Sequence, residues 1–370
     1  NDTAPKAWRA CMRAFLNRFL LLGVLVVCIA MSAVQPAAAQ TKKTFKVAWS
    51  IYVGWMPWDY AQQSGILKKW ADKYGIEIEL TQVNDYVESI NQFTAGSFDA
   101  CTMTNMDMLT IPAAGGVDST ALIVGDFSNG NDAIVLKGKG RTLRDIKGQS
   151  VNLVELSVSH YLLARALESV GLKERDIKVV NTSDADIVAA FQAKESTAVV
   201  AWKPQLSEIA RMPNVTSVFD SSQTPGEILD MMVVNTATLK ANPNLGKALV
   251  GAWYETLAII SGNDAKANAA LEHMAKASGT DLAGIRSQLA TTKMYWTPAE
   301  THAFVTSPAL GKSMDLVRRF SFDHGLLGEG AKSVDDVGIL LGDGKTLGNA
   351  RSPKMRFDAS FTKLAIDGKL

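Results

Sequence analysis

From Thr44 onward, short β-branched runs alternate with stretches whose apolar residues recur at helical spacing, the pattern of parallel strands joined by crossover helices. Strands are predicted at Lys46–Ser50, Ile76–Val83, Ala100–Thr104 and Ala121–Gly125, with helices at Met56–Trp70, Tyr86–Ala95 and Met106–Ala114 between them. Gly96-Ser97-Phe98-Asp99 reads as the turn that closes the second helix and returns the chain to the sheet. A second α/β unit follows, with strands at Val151–Glu155, Ile177–Asn181, Ala198–Trp202 and Val215–Phe219 and helices at Ser159–Val170, Ala185–Ala193 and Gln205–Met212.

Two apolar runs, Ala133–Leu136 and Met231–Val234, flank the second unit and fit no helical period, so they are expected to be crossings between the units. The chain would then leave a first lobe (44–130), build a second (131–234), and return to finish the first (235–370) with the helical stretch that begins at Pro243. Two connecting strands make a hinge, and a hinge between two α/β lobes makes a cleft.

The first 39 residues have another layout. Lys6, Arg9, Arg13 and Arg18 form a basic leader, an apolar run extends from Phe19 to Met31, and Ala37–Ala39 supply small residues for cleavage before Gln40. This is the order of a secretory signal peptide, and the apolar run is shorter than the ~20 residues a bilayer span needs. A periplasmic mature chain is expected. It would carry 34 Lys and Arg against 36 Asp and Glu, a net charge of −2 with the signs interspersed, which argues against a nucleic-acid partner. Cys11 and Cys28 would leave with the signal, so Cys101 remains alone and reads as a buried, inert thiol. About 330 residues can bury two ordinary cores without disulfides.

Catalytic and cofactor motifs are wanting. His160, His273, His302 and His324 show no helical metal-ligand spacing, no Gly-x-Ser-x-Gly elbow occurs, and Gly344-Lys345-Thr346 lacks the earlier glycine of a phosphate loop, where Ile339 stands. No enzyme activity, metal or cofactor is expected. Polar and aromatic residues instead gather at the carboxyl ends of the predicted strands, where open α/β sheets bind ligands. The candidate ligand-binding residues are Tyr52, Trp55 and Trp58 after the first strand, Thr104, Asn105 and Asp107 after the third, and Asn131 and Asp132 after the fourth. The second unit adds Glu155, Ser157, Asp184 and Trp202. Ser159, Asp184 and Asp107 could equally cap the helices they precede. Trp70 and Trp253 lie on apolar helix faces and read as core, whereas Trp55 and Trp58 stand in a loop mouth.

The stretch WSIYVGWMPWDYAQQSGILKKWADKYGIEIEL followed by NQFTAGSFDACTMTN resembles the nitrate, taurine and sulfonate class of ABC-transporter solute-binding proteins, above all in its "A…GILKK" helix and the "AGSFDA" segment at Ala95–Ala100. The C-terminal HGLLGEGAKSVDDVGILLGDGKTLGNARSPKMRFD is similar to a subgroup whose transporters accompany urea carboxylases, many of them thought to act on guanidine. The resemblance implies the type II periplasmic-binding-protein fold. It also implies a small-molecule solute as ligand and a membrane permease and ATPase as partners, with the binding protein a monomer. Thiamine-pyrimidine synthases are thought to share the fold, but would need a reactive His and a Cys-rich stretch that this chain lacks. Within the transporter class, a sulfonate or nitrate demands positive groups. The strand-end loops offer Asp107, Asp126, Asp132, Glu155, Asp184 and Asp186 against Lys203 alone. Guanidinium, planar and cationic, suits such a cleft best, stacking on indole and pairing with carboxylates across the cleft through groups such as Trp55, Asp107 and Glu155. Urea has a similar outline without the charge, and an anionic sulfonate is the alternative.

Overall fold

Two β-sheets carry the chain from Lys43 onward; the computed structural model describes residues 42–370, so the expected signal segment, Cys11 and Cys28 lie outside the described residues. The first sheet opens with β1 (Thr44–Trp49), β2 (Glu77–Gln82), β3 (Ala100–Thr104) and β4 (Ser119–Ser128). The second consists of β5 (Asp132–Lys137), β6 (Ser150–Leu153), β7 (Lys178–Asn181), β8 (Ala198–Trp202) and β9 (Val215–Asp220), in the order β7-β6-β8-β5-β9. The chain then returns to the first sheet with β10 (Leu229–Asn235), β11 (Thr292–Met294), β12 (Gly338–Leu340), β13 (Thr346–Leu347) and β14 (Pro353–Phe357). That sheet runs β13-β12-β14-β4-β10-β3-β1-β2, with β11 paired to the end of β4. The architecture is α/β, as expected.

The two apolar runs expected as crossings are not crossings. Ala133–Leu136 is the interior of β5, hydrogen-bonded on both sides by β8 and β9, and Met231–Val234 is the interior of β10, between β3 and β4. A strand buried on both faces reads as a continuous apolar run, which is what the two segments share. The chain changes sheets in the polar segments just before them, at residues 129–131 and 221–228.

The expected helix Met56–Trp70 is two helices, Pro57–Gln63 and Ile66–Lys73, because Gly65 takes a left-handed φ of +79° that terminates the first and starts the second. The expected helix Met106–Ala114 is a short turn, Asn105–Met108, that widens into a π-helix at Leu109–Ala113, around Pro112. Pro112 has no N–H to give to an α-helical ladder, and the wider turn accommodates it. The long helix Pro243–Ile260 is buried along most of its length. It packs so tightly on Ile66–Lys73 that a Cβ on Gly251 would stand 2.3 Å from the Trp70 ring, so this contact requires glycine. Cys101 is fully buried, and burial pushes its thiol up to about 12, an environment without reactive thiolate. No helix among the described residues is long and apolar enough to cross a membrane.

Candidate functional site

β1, β3 and β4 point their carboxyl ends to one edge of the first sheet, and β10, running antiparallel between β3 and β4, begins there. Register places Asp230 of β10 opposite Thr104 on one side and opposite Asp126 on the other, so the three share one face of the sheet. After β1 the chain turns tightly, with the Tyr52 carbonyl accepting the N–H groups of Trp55 and Met56. The turn lays both aromatic rings over this row. Gly54 allows it, since a Cβ there would meet Asp126 Oδ2 at 2.4 Å and the Tyr52 ring at 2.5 Å.

The result is a small aromatic chamber. Tyr52, Trp55, Tyr86 and Trp202 form its walls, Thr104 and Asp230 its polar floor, and Val158 closes the side supplied by the second sheet's elements. The empty space between these groups is about 230 Å³, the open solvent at its mouth included, so the chamber is small. The rings brace one another: Tyr52 meets Trp55 edge-on at 5.1 Å, Trp55 meets Tyr86 at 5.7 Å, and Tyr86 meets Trp202 edge-on at 5.6 Å. The Trp55 indole N–H is buried without a partner.

The electrostatics have one sign. Tyr52 donates its hydroxyl proton to Asp126 Oδ1 at 2.9 Å, while Oδ2 of Asp126 and Oδ2 of Asp230 are both buried and receive no donor from any group outside the pair. Burial raises the carboxyls of Asp126 and Asp230, and the charge of Asp126 raises Asp230 further. Asp132, at the start of β5, is pushed up to about 6 by burial, although the Ser128 hydroxyl donates to it. Among the described residues none of these three acids has a Lys, Arg or His partner. Lys203, the one base expected in the loops, sends its ammonium to Thr291 at 2.8 Å, and burial lowers its pKa.

Of the sequence-predicted residues, Tyr52, Trp55, Thr104 and Trp202 meet in the chamber. Trp58 does not: it begins the helix Pro57–Gln63 and stacks on Trp253 at 4.9 Å, fully buried in the core. Asn105 is also structural, giving its amide to the Glu227 carbonyl and taking the Leu229 N–H, which ties the chain entering β10 to the end of β3. Asn131 performs the same service at the other sheet change, bonded to Thr292 at 2.6 Å and to the Lys203 N–H at 3.1 Å. Asp107 lies behind the chamber wall. It accepts the Tyr86 hydroxyl at 2.5 Å and the Thr104 hydroxyl at 2.7 Å, and burial pushes its carboxyl up to about 6 against the effect of those bonds.

Asp107, Glu155 and Ser157 face a second, wider groove of about 1060 Å³ rather than the chamber. Glu155 is exposed there, and Ser157 caps the helix Val158–Ser169. Asp184 accepts the Tyr86 N–H at 3.1 Å, so an acid of the second unit holds the start of the helix Tyr86–Thr94 and with it one chamber wall. Burial pushes that carboxyl up to about 6 as well. Asp230, Tyr86 and Val158 were missing from the sequence-predicted set. A lone acid at the head of the apolar run Met231–Val234 was the available signal for Asp230, whereas Tyr86 and Val158 look like ordinary helix-start residues.

Comparison with known proteins places this geometry in a setting. The chain is similar to the taurine-binding periplasmic protein of Escherichia coli K12, 24% identical over 141 residues, which is 38% of this chain and 44% of that protein. It spans less than half the length of the curated relatives it matches. Among solved structures it is similar to the alkanesulfonate-binding protein of Xanthomonas axonopodis pv. citri bound to MOPS, with a TM-score of 0.64 and 18% identity, covering 79% of this chain and 96% of that one. It is also similar to the periplasmic nitrate-binding protein of Synechocystis PCC 6803, with a TM-score of 0.54 and 13% identity, covering 89% and 99%. At such identities the likeness is one of fold, and the fold is that of periplasmic binding proteins. The model of the NMT1-like family matches residues 46–275, the span that builds all four chamber walls and its floor, and the chain belongs to that family.

Proposed function

We propose that the chain is the solute-binding component of an ABC importer, working in the periplasm with a permease and an ATPase, and that its solute is a small nitrogen-rich cation, guanidinium in preference to urea. The relatives named as periplasmic taurine-, alkanesulfonate- and nitrate-binding proteins support the general role. The ligand reading rests on one observation: the one acidic group lining the chamber is Asp230, a buried carboxyl with Asp126 as its close acidic neighbour and, among the described residues, no Lys, Arg or His beside it, under four aromatic rings. Removing a carboxylate from water is costly without a counter-charge, and a planar cation supplies both the charge and a fork of donors. Its faces would stack on the rings, where a desolvated cation–π contact contributes up to about 2 kcal/mol. An anionic sulfonate would meet the same carboxylate with no Lys or Arg to offset it.

We further read the two sheets as the cores of two lobes, with the segments 129–131 and 221–228 as the hinge. Ligand capture would join Tyr52, Trp55 and Asp230 of one lobe to Trp202 and Val158 of the other and thereby favour closure, by as much as the closed form binds more tightly than the open one. Tryptophan fluorescence titration tests the reading, since two of the walls are indoles. Saturable quenching or enhancement by guanidinium chloride at constant ionic strength is expected. Asp230→Asn should weaken it at least ~30-fold, as loss of a buried charge partner costs about 2 kcal/mol or more. An Asp230→Asn protein that binds the cation as the parent does would remove the carboxylate from the site.

A further inference from the structure

Asp126 and Asp230 occupy directly opposed positions on adjacent antiparallel strands, where Cβ atoms stand roughly 4.5–5.5 Å apart. Both are buried, at 1% and 4% exposure; the two carboxyls lie within hydrogen-bonding reach of one another, and Oδ2 of each receives no donor from any other group. The groups facing the pair add no positive charge. Tyr52 donates to Asp126, Asp132 is a third buried carboxylate, and the Tyr295 hydroxyl lies near Asp126. The loop at Gly54 presses on Asp126 Oδ2 and leaves no room for a side chain there. Two carboxylates side by side in a dry site cannot both ionise without a cation, so the ligand-free pair holds a shared proton.

We propose that the solute cation and this proton compete for the Asp126–Asp230 pair, so that capture of the cation expels a proton and loss of the cation takes one back. The balance is simple: a protonated pair plus a cation gives an ionised pair holding that cation, plus a proton passed to solvent. Total charge is unchanged, and the cation keeps its own protons. The exchange rests on the cationic reading of the chamber and goes beyond it. It makes the pair the specificity-determining element, because a neutral solute of the same outline has no charge with which to displace the proton, and an anion would have to enter with one.

The test counts protons. Guanidinium chloride is titrated into the full chain in weakly buffered salt under a pH-stat, alongside calorimetric affinities from pH 5 to pH 8. About one proton released per cation bound is expected near pH 6, with the association constant rising up to about tenfold per pH unit over the acid part of the range. Asp230→Asn and Asp126→Asn should each abolish the release, and the affinity slope of the parent protein reads the same exchange if either variant fails to fold. Saturable binding with no proton release and a flat affinity profile would overturn the exchange while leaving the cationic solute standing. No binding of guanidinium at any pH would overturn both.

Discussion

At the scale of single residues, side chains that line the chamber differ from side chains that hold the lining in place. Trp55 is of the first kind, since its indole forms a wall and its N–H is unpartnered, and the proposed function gives it the solute to stack on. Trp55→Leu should keep the fold, since Leu fills much of the space, and lose about 1–2 kcal/mol of cation affinity, or roughly tenfold, in a calorimetric titration. Trp58 is of the second kind. Trp58→Ala removes a fully buried ring stacked on Trp253 and should cost about 3–5 kcal/mol of stability, read as a lowered Tm. Glu155 shows why strand-end position alone misleads, because it is an acid of the expected kind in the expected loop, yet it is exposed on the wider groove. Glu155→Gln should leave guanidinium affinity within about twofold of the parent, as suits an exposed charge outside the chamber. A tenfold loss would mean that the ligand spans both spaces.

At the scale of elements, most strands were legible because alternation and β-branching are local signals, whereas the helix break at Gly65 and the π-helix at Pro112 depend on a single residue's backbone geometry. The apolar interior of β10 is visible in the sequence, but its membership in the first sheet depends on pairing with β3 and β4, more than 100 residues away. The same dependence conceals Asp230, whose place beside Asp126 is set by cross-strand register. A similar long-range contact joins Glu174, just before β7, to His160 on the helix Val158–Ser169 and to His324 at the end of the helix Pro308–Asp323. His160 Nδ1 accepts the Leu156 N–H, and its Nε2 meets Glu174. His324 faces the Phe320 carbonyl with Nδ1 and Glu174 with Nε2. Burial would raise the Glu174 carboxyl, but the two imidazoles outweigh it and hold it below its usual value. Glu174→Gln should lower stability by about 1 kcal/mol, a modest figure because the group is partly solvated, measured by thermal unfolding at pH 6.

At the scale of the whole molecule, the buried acids set a pH dependence of stability. A carboxyl whose folded pKa lies above its unfolded value near 3.8 keeps its proton in the folded chain after the unfolded chain has lost it. Its stabilising contribution is therefore complete below about pH 4 and is lost as pH rises through the folded value. That value is about 6 for Asp107, Asp132 and Asp184, and the Asp126–Asp230 pair is also displaced upward. Asp118 acts oppositely: Arg356 outweighs burial and keeps it low, so its contribution is lost only on acidification below about pH 4. The ligand-free protein should thus lose Tm steadily from pH 5 to pH 8, and millimolar guanidinium should flatten that decline. A Tm that rises over the same interval without ligand would contradict the burial of these acids.

The broad architecture was legible from strand and helix periodicity, and the family resemblance pointed to the same class. What could not be read was which strand-end acids converge, because convergence is set by register between distant strands. Recognition of positive charge by the chamber is open to a direct test, calorimetric titration with guanidinium, urea and taurine at matched ionic strength. Saturable guanidinium binding, with urea at least tenfold weaker and taurine undetectable, is the predicted result. Tight taurine binding with no response to guanidinium would contradict it, and would mean that Asp230 meets the ligand protonated, as a hydrogen-bond donor.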